Sequence, residues 1–219
     1  MGVRDGRIFI DFLLEKKRPV VKKTGRAVGM DSNYVNGFVF SDGQNVGQEL
    51  VEKIRGFAKR TKHTHQLIKD MVGAELKKID LSQIYMLVIE DLKWVKNGKR
   101  GKFSRQMNRR MSHKWPPLGP WLYAYVADWL ARCCEEARVR LESGPSRPHG
   151  PFEGLGQRKN PAYTSQYCRH CNKWDRRNRT GDKFVCVSCG HADHADKNAS
   201  KNLELLGLAG VYGLRLLQS

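Results

Sequence analysis

Two cysteine pairs constrain this chain more than any other feature: Cys168-x-x-Cys171 and Cys186-x-x-Cys189, with fourteen residues between them. Each pair is a knuckle whose two sulfurs can reach one ion at ~2.3 Å, and together the knuckles close a tetrahedron. Gly190, directly after the second knuckle, permits the tight backbone turn such a site uses. The pattern predicts a zinc ribbon over about 164–192, with zinc in a structural role. The other reading of the spacing is a pair of disulfides or unrelated thiols. Disulfides suit secreted chains, and Met1 to Arg7 lacks the apolar core of a signal peptide. His170 and His191 sit beside the knuckles, but four thiolates already fill the shell, so both read as surface residues. Cys133 and Cys134 fall in a helical pattern and read as core or semi-buried thiols.

A chain of 219 residues with 40% hydrophobic content can bury a real core around such a module. Its charge balance is one-sided: 40 Lys and Arg stand against 22 Asp and Glu, a formal net charge of +18. Self-repulsion of that size disfavours the compact state unless a polyanion offsets it, and nucleic acid is the polyanion that fits best. A general basic structural protein and an anionic membrane surface are the other readings. No run of eighteen apolar residues is present, so no membrane partner is expected.

The order of elements is legible along the chain. Residues 7–15 read as a strand at the edge of a sheet, followed by a basic linker. Ala27 to Asp31 is a short apolar strand ending on a carboxylate, and residues 35–40 a second strand. Ser41-Asp42-Gly43 turns the chain toward a third, weaker one. Residues 48–78 read as helical, with Leu50 and Ile54 on one face and Lys53 on another. Tyr85 to Asp91 is a further strand with a carboxylate end. From Lys93 to Lys114 the chain carries nine Lys and Arg and no acid. Pro116-Pro117 opens a long amphipathic helix to about Ala137, with Trp121 and Trp129 at core spacing, and residues 139–142 read as one more strand. A Gly- and Pro-rich loop spans 143–160. A last helix runs from Ala195 to about Leu206, beside Asp193 and Asp196.

Carboxylates at strand ends and at a helix start can converge, and hard divalent ions take oxygen ligands from several elements. Asp31, Glu90, Asp193 and Asp196 stand in such places. Taken singly, each reads better as a helix cap or a solvated charge.

Together with their flanking residues they resemble a known family. The order strand-Asp, strand-Glu, zinc knuckles and then Asp-x-Asn-Ala resembles the split RuvC domain of TnpB-type transposon nucleases (the IS200/IS605 OrfB family), an arrangement shared by miniature type V CRISPR effectors. The segments that carry the resemblance are Val28-Gly29-Met30-Asp31, Leu87-Val88-Ile89-Glu90-Asp91-Leu92, Asn160 to Gln166, and Asp196-Lys197-Asn198-Ala199-Ser200-Lys201-Asn202, with Ser104 to Arg110 like the basic segment after the second motif. The resemblance implies an α/β, RNase H-like (RuvC) mixed sheet with flanking helices and an inserted zinc ribbon. It implies a magnesium-dependent DNA endonuclease, with two catalytic ions held by Asp31, Glu90 and Asp196. Asp196 is preferred to Asp193 for the third position because it directly precedes x-Asn-Ala. Guide RNA and DNA are the implied partners, and a cytoplasmic, nucleoid-associated place in a prokaryote or phage the implied setting.

The same resemblance divides the chain into 1–26, a residual strand and basic linker from a guide-binding region; 27–163, the first two RuvC motifs; 164–192, the ribbon; and 193–219, the third motif with the terminal helix. Lys99, Arg100, Lys102, Arg105, Arg109, Arg110 and Lys114 would track phosphates, adding salt-sensitive affinity without reading sequence. With 26 residues ahead of the first motif, targeting is expected to depend on guide RNA, on a partner chain or on a dimer. The alternative reading is a non-cleaving nucleic-acid-binding product that occupies guide RNA or a full-length relative.

Overall fold

In the computed structural model, residues 2–4, 7–9, 20–33, 36–55, 61–90, 119–143 and 161–208 are described. Strands β1 (Gly2–Arg4) and β2 (Arg7–Phe9) form a small antiparallel hairpin. The strand expected from residue 7 thus finds its partner in the residues just before it.

A five-stranded mixed sheet organises the next part. Strands β3 (Arg26–Asn33), β4 (Gly37–Phe40) and β5 (Asn45–Val46) run antiparallel as a meander. Strands β6 (Ile84–Ile89) and β7 (Arg140–Ser143) then add in parallel, giving the order β5-β4-β3-β6-β7. Gly37 is required at the first turn: its φ is +74°, and a Cβ there would lie 2.4 Å from the Val46 carbonyl oxygen.

Parallel pairing needs long crossovers, and helices supply them. Helices α1 (Gln48–Arg55) and α2 (Lys62–Leu76) connect β5 to β6, where the sequence pattern predicts one continuous helical stretch. Thr61 caps α2, its hydroxyl accepting from Thr64 N at 3.1 Å. Helix α3 (Gly119–Glu136) leads into β7. Leu50, Ile54, Ile68, Val72, Leu76, Val126, Leu130 and Cys134 pack on one sheet face, against Val28, Met30, Phe38, Phe40, Leu87 and Ile89. Trp129 packs at the edge of this core, as its helical spacing implies.

The opposite face is covered by helix α4 (Ala195–Leu208), where Leu203 and Leu206 meet Ala27, Met86 and Val88. Burying each such side chain stabilises the fold by roughly 1.5–3 kcal/mol. The approach is close enough to need glycine. A Cβ on Gly29 would sit 1.9 Å from Ser200 O, and one on Gly207 would sit 2.2 Å from Val88 Cγ2.

Two-residue alternation decides which side chains face α4. Val28 and Met30 point to the large core, so Ala27, Gly29 and Asp31 share the α4 face. On β6 the pairing slips between Arg26 and Ala27, with Arg26 opposite Ile84 and Ala27 opposite Met86. Tyr85 is the extra residue. Beyond this bulge Met86 and Val88 face α4, and Glu90, the next residue of that parity, falls on the same side.

Candidate functional site

Asp31 lies within β3, and Glu90 directly follows β6. The parallel register pairs Met30 with Ile89, so each central strand carries a carboxylate one residue beyond that pair. Asp196 reaches the same place from the first turn of α4 and is fully buried. Burial first, and then the charges of Glu90 and Asp196, push the Asp31 carboxyl well above the usual carboxylate range, while Arg179 opposes the shift. Burial likewise raises Glu90. The three acids thus lie near enough for the charges of Glu90 and Asp196 to act on Asp31. Ionising all of them without a cation is unfavourable.

Both oxygens of Asp196 accept hydrogen bonds. Asn36 Nδ2 donates to Oδ2 at 2.8 Å, and Arg179 Nη2 donates to Oδ1 at 3.3 Å. Asp196 N in turn donates to His194 Nδ1 at 3.3 Å. Asp193 takes no part in this cluster. It sits on a strand rather than at the helix start, and its Oδ2 meets Lys201 Nζ at 3.1 Å and Arg169 Nη2 at 3.5 Å. The phosphate-tracking candidates Lys99, Arg100, Lys102, Arg105, Arg109, Arg110 and Lys114 lie outside the described residues, as do Trp115 and residues 144–160 of the expected 143–160 loop.

The ribbon is built from two short sheets. Strands β8 (Tyr167–Cys168) and β9 (Lys173–Trp174) frame the first knuckle, whose turn places Asn172 at a φ of 57°. Strands β10 (Arg179–Thr180), β11 (Lys183–Val185) and β12 (Ala192–His194) form the second sheet. Gly190 turns the second knuckle at a φ of +74°. The four cysteine sulfurs all lie within 4.8 Å of one another, with Cys168 to Cys189 at 3.7 Å and Cys171 to Cys186 at 3.5 Å. A tetrahedron with bonds of ~2.3 Å has edges of about 3.8 Å, so this is a cluster at metal-binding distance, compatible with zinc.

The thiol electrostatics agree. Burial and then the neighbouring sulfurs push Cys171 up to about 12. Burial would also raise Cys186, but N–H donors from Ser188 and Cys189 outweigh it and bring that thiol down to about 7. Four such thiols can ionise together only around a cation. His170 and His191 lie outside the four-sulfur cluster and stack on each other with centroids 5.5 Å apart.

Buried amides fasten the ribbon to α4. Asn198 Nδ2 donates to Tyr167 O at 2.9 Å, and Asn202 Nδ2 donates to Thr164 O at 2.6 Å and to Tyr167 O at 3.0 Å. Asn178 joins the two knuckles, donating to Gln166 O and accepting from Val187 N, both at 2.9 Å. The helix that carries Asp196 is therefore held by the backbone just ahead of the first knuckle. Sequence reasoning passed over Arg179 and Asn36. Nothing local distinguishes either from an ordinary surface residue, because their partner is Asp196 in a different element.

Residues 157–203 match the family model described as the Cas12f1-like TNB domain. Over that segment the chain is similar to a domain of the Cas12f1 kind. Over 46 residues it is 44% identical to the CRISPR-associated endodeoxyribonuclease Cas12f1 of Sulfoacidibacillus thermotolerans, a stretch covering 20% of this chain and 11% of that relative. Among solved structures it is similar to CasPhi-2 (Cas12j) bound to crRNA, with a TM-score of 0.42 and 17% identity over 74% of this chain and 24% of the other. The chain thus corresponds to a small part of the length of each. Among the described residues, no helix is long and apolar enough to cross a membrane.

Proposed function

We propose that this chain is a RuvC-like endonuclease core of RNase H-like fold that hydrolyses DNA at the cluster of Asp31, Glu90 and Asp196, directed by a guide RNA. The observation that carries the reading is the convergence of those three acids on one sheet face, each delivered by a different element. The mixed sheet, with its antiparallel meander followed by two parallel strands, three helices on one face and α4 on the other, supports the fold assignment. A relative named as an endodeoxyribonuclease is 44% identical over 46 residues, and the net charge of +18 suits a nucleic-acid partner. On this reading 27–163 and 193–219 form the nuclease domain and 164–192 is its zinc-bound insert.

The residues present fit divalent cations: the acids are oxygen donors, crowded and held partly away from water, with raised carboxyl groups that a cation would relieve. Two bound ions, magnesium in this reading, supply an activated water and charge stabilisation for the leaving oxygen. Asp31, Glu90 and Asp196 would hold them. Arg179 presents a fixed positive charge beside the same carboxylates, where it can face a phosphate oxygen. Zinc, held by Cys168, Cys171, Cys186 and Cys189, has a structural role, because four thiolates leave no open position. Through the Asn198 and Asn202 bonds, the ribbon braces the helix that bears Asp196.

The test uses the intact protein with the RNA that co-purifies with it, magnesium, and DNA matched to that RNA. Cutting is expected, and Asp31→Ala, Glu90→Ala and Asp196→Ala should each abolish it while leaving DNA binding intact. Asp193→Ala should still cut. Unchanged cutting by any of the first three would overturn the assignment.

A further inference from the structure

We propose that Asn36 is a positioning residue for the carboxylate cluster: its side-chain amide fixes the orientation in which Asp196 is presented to divalent ions. This rests on the reading that the three acids hold such ions.

Asp196 is the most enclosed acid of the cluster, at 0% exposure. A carboxylate on the first turn of a helix is free to swing about two side-chain bonds unless its oxygens are held. Arg179 holds Oδ1 at 3.3 Å, but that contact comes from a long, partly exposed side chain that also donates from Nε to Gly181 O at 2.9 Å. Asn36 holds Oδ2 at the shorter distance of 2.8 Å, from a short side chain in the turn between β3 and β4. That turn is pinned by Gly37. It is also the continuation of the strand that bears Asp31. One short stretch of chain therefore supplies Asp31 and fixes Asp196, which the chain reaches 160 residues after Asn36.

The chemistry of an amide suits this place. It donates a hydrogen bond without adding charge. A carboxylate at residue 36 would bring a fourth negative group, and a lysine would compete with the ions for the same acids. Without the amide, Oδ2 loses its short donor, leaving Arg179 on the other oxygen and the His194 ring, whose Nδ1 lies 3.8 Å from Oδ2. Donors that orient a metal-binding side chain typically change metal affinity by about 10–100-fold when removed. Asn36 should fall in that range.

The experiment is a Mn²⁺ titration followed by electron paramagnetic resonance on the zinc-loaded intact protein. It compares the native chain with Asn36→Ala, Asn36→Ser and Asp31→Ala. Serine suits a turn, yet its hydroxyl stops short of Asp196, so it removes the contact if the alanine variant does not fold. The expected result is Mn²⁺ affinity about tenfold or more weaker in the Asn36 variants, with zinc content unchanged and metal-free melting still cooperative, lowered only by the few degrees that a lost hydrogen bond to a buried acid costs. A folded Asn36 variant that binds Mn²⁺ like the native chain would overturn the proposal. So would a loss of Mn²⁺ affinity accompanied by loss of zinc or of cooperative melting, because the role would then be scaffolding. Asp31→Ala reports on the underlying reading separately: if it leaves Mn²⁺ uptake unchanged, the ions are not at these acids at all.

Discussion

Arg179 Nη2 donates to Asp196 Oδ1 across 3.3 Å, and this contact ties the second sheet of the ribbon to the carboxylate cluster. It gives the cluster a permanent positive charge that opposes the raised carboxyl of Asp31. Replacing Arg179 by alanine should therefore destabilise the magnesium-free protein, by about 1.5–3 kcal/mol for loss of a charged hydrogen bond to a buried acid. Thermal melting should show a fall of several degrees without magnesium and a smaller fall with it. Equal falls in both conditions would show that Arg179 does not share the role of a cation.

Asp31→Asn should act in the opposite direction. It removes one negative charge from a crowd of three while keeping the side-chain shape, so the metal-free protein should melt higher than the native chain. Magnesium should then add less stability than it adds to the native chain. A lower melting temperature without metal would mean that the repulsion among Asp31, Glu90 and Asp196 is not costly.

The ribbon and the cluster should respond together to zinc removal. Cys168→Ser should reduce zinc from one ion per chain and loosen the first knuckle. Because Asn198 and Asn202 grip the backbone at Thr164 and Tyr167, the loss should also weaken Mn²⁺ binding at the acids. Elemental analysis and Mn²⁺ titration of the same sample check both parts. Well-folded native protein without stoichiometric zinc would contradict the assignment of the four thiolates.

Gly29→Ala should be severe for a single methyl group. Its Cβ would fall 1.9 Å from Ser200 O and 2.5 Å from Glu204 N, both backbone atoms of α4 that cannot rotate away. Destabilisation at or above the upper end of the usual 1–3 kcal/mol for overpacking is expected, about 3 kcal/mol. Urea unfolding measures it, and a loss below about 1 kcal/mol would mean that α4 lies on the sheet less tightly than the structure shows.

Much of this architecture was legible because it is written in local periodicity. The apolar runs ending at Asp31 and Glu90 mark the two central strands, and the cysteine spacing marks the ribbon. The Tyr85 bulge was not legible, and it matters, since it sets the parity that puts Glu90 on the α4 face. A bulge shifts register against a partner strand, and one strand's sequence carries little trace of it. By position alone Asp193 and Asp196 looked alike, both beside the last helix, and only the resemblance around x-Asn-Ala favoured Asp196. Tertiary contacts separate them: Asp196 turns inward to Asn36 and Arg179, while Asp193 stays on β12 with Lys201 and Arg169. Asn36 and Arg179 went unread for the same reason, because both are defined by an acid in another element.

The most direct test of the account is to locate divalent ions by anomalous diffraction from crystals of the zinc-loaded protein soaked in Mn²⁺. The account predicts manganese signal bounded by Asp31, Glu90 and Asp196, together with one zinc among Cys168, Cys171, Cys186 and Cys189. Manganese at Asp193, or no manganese near Asp31 in crystals that retain the zinc, would contradict it.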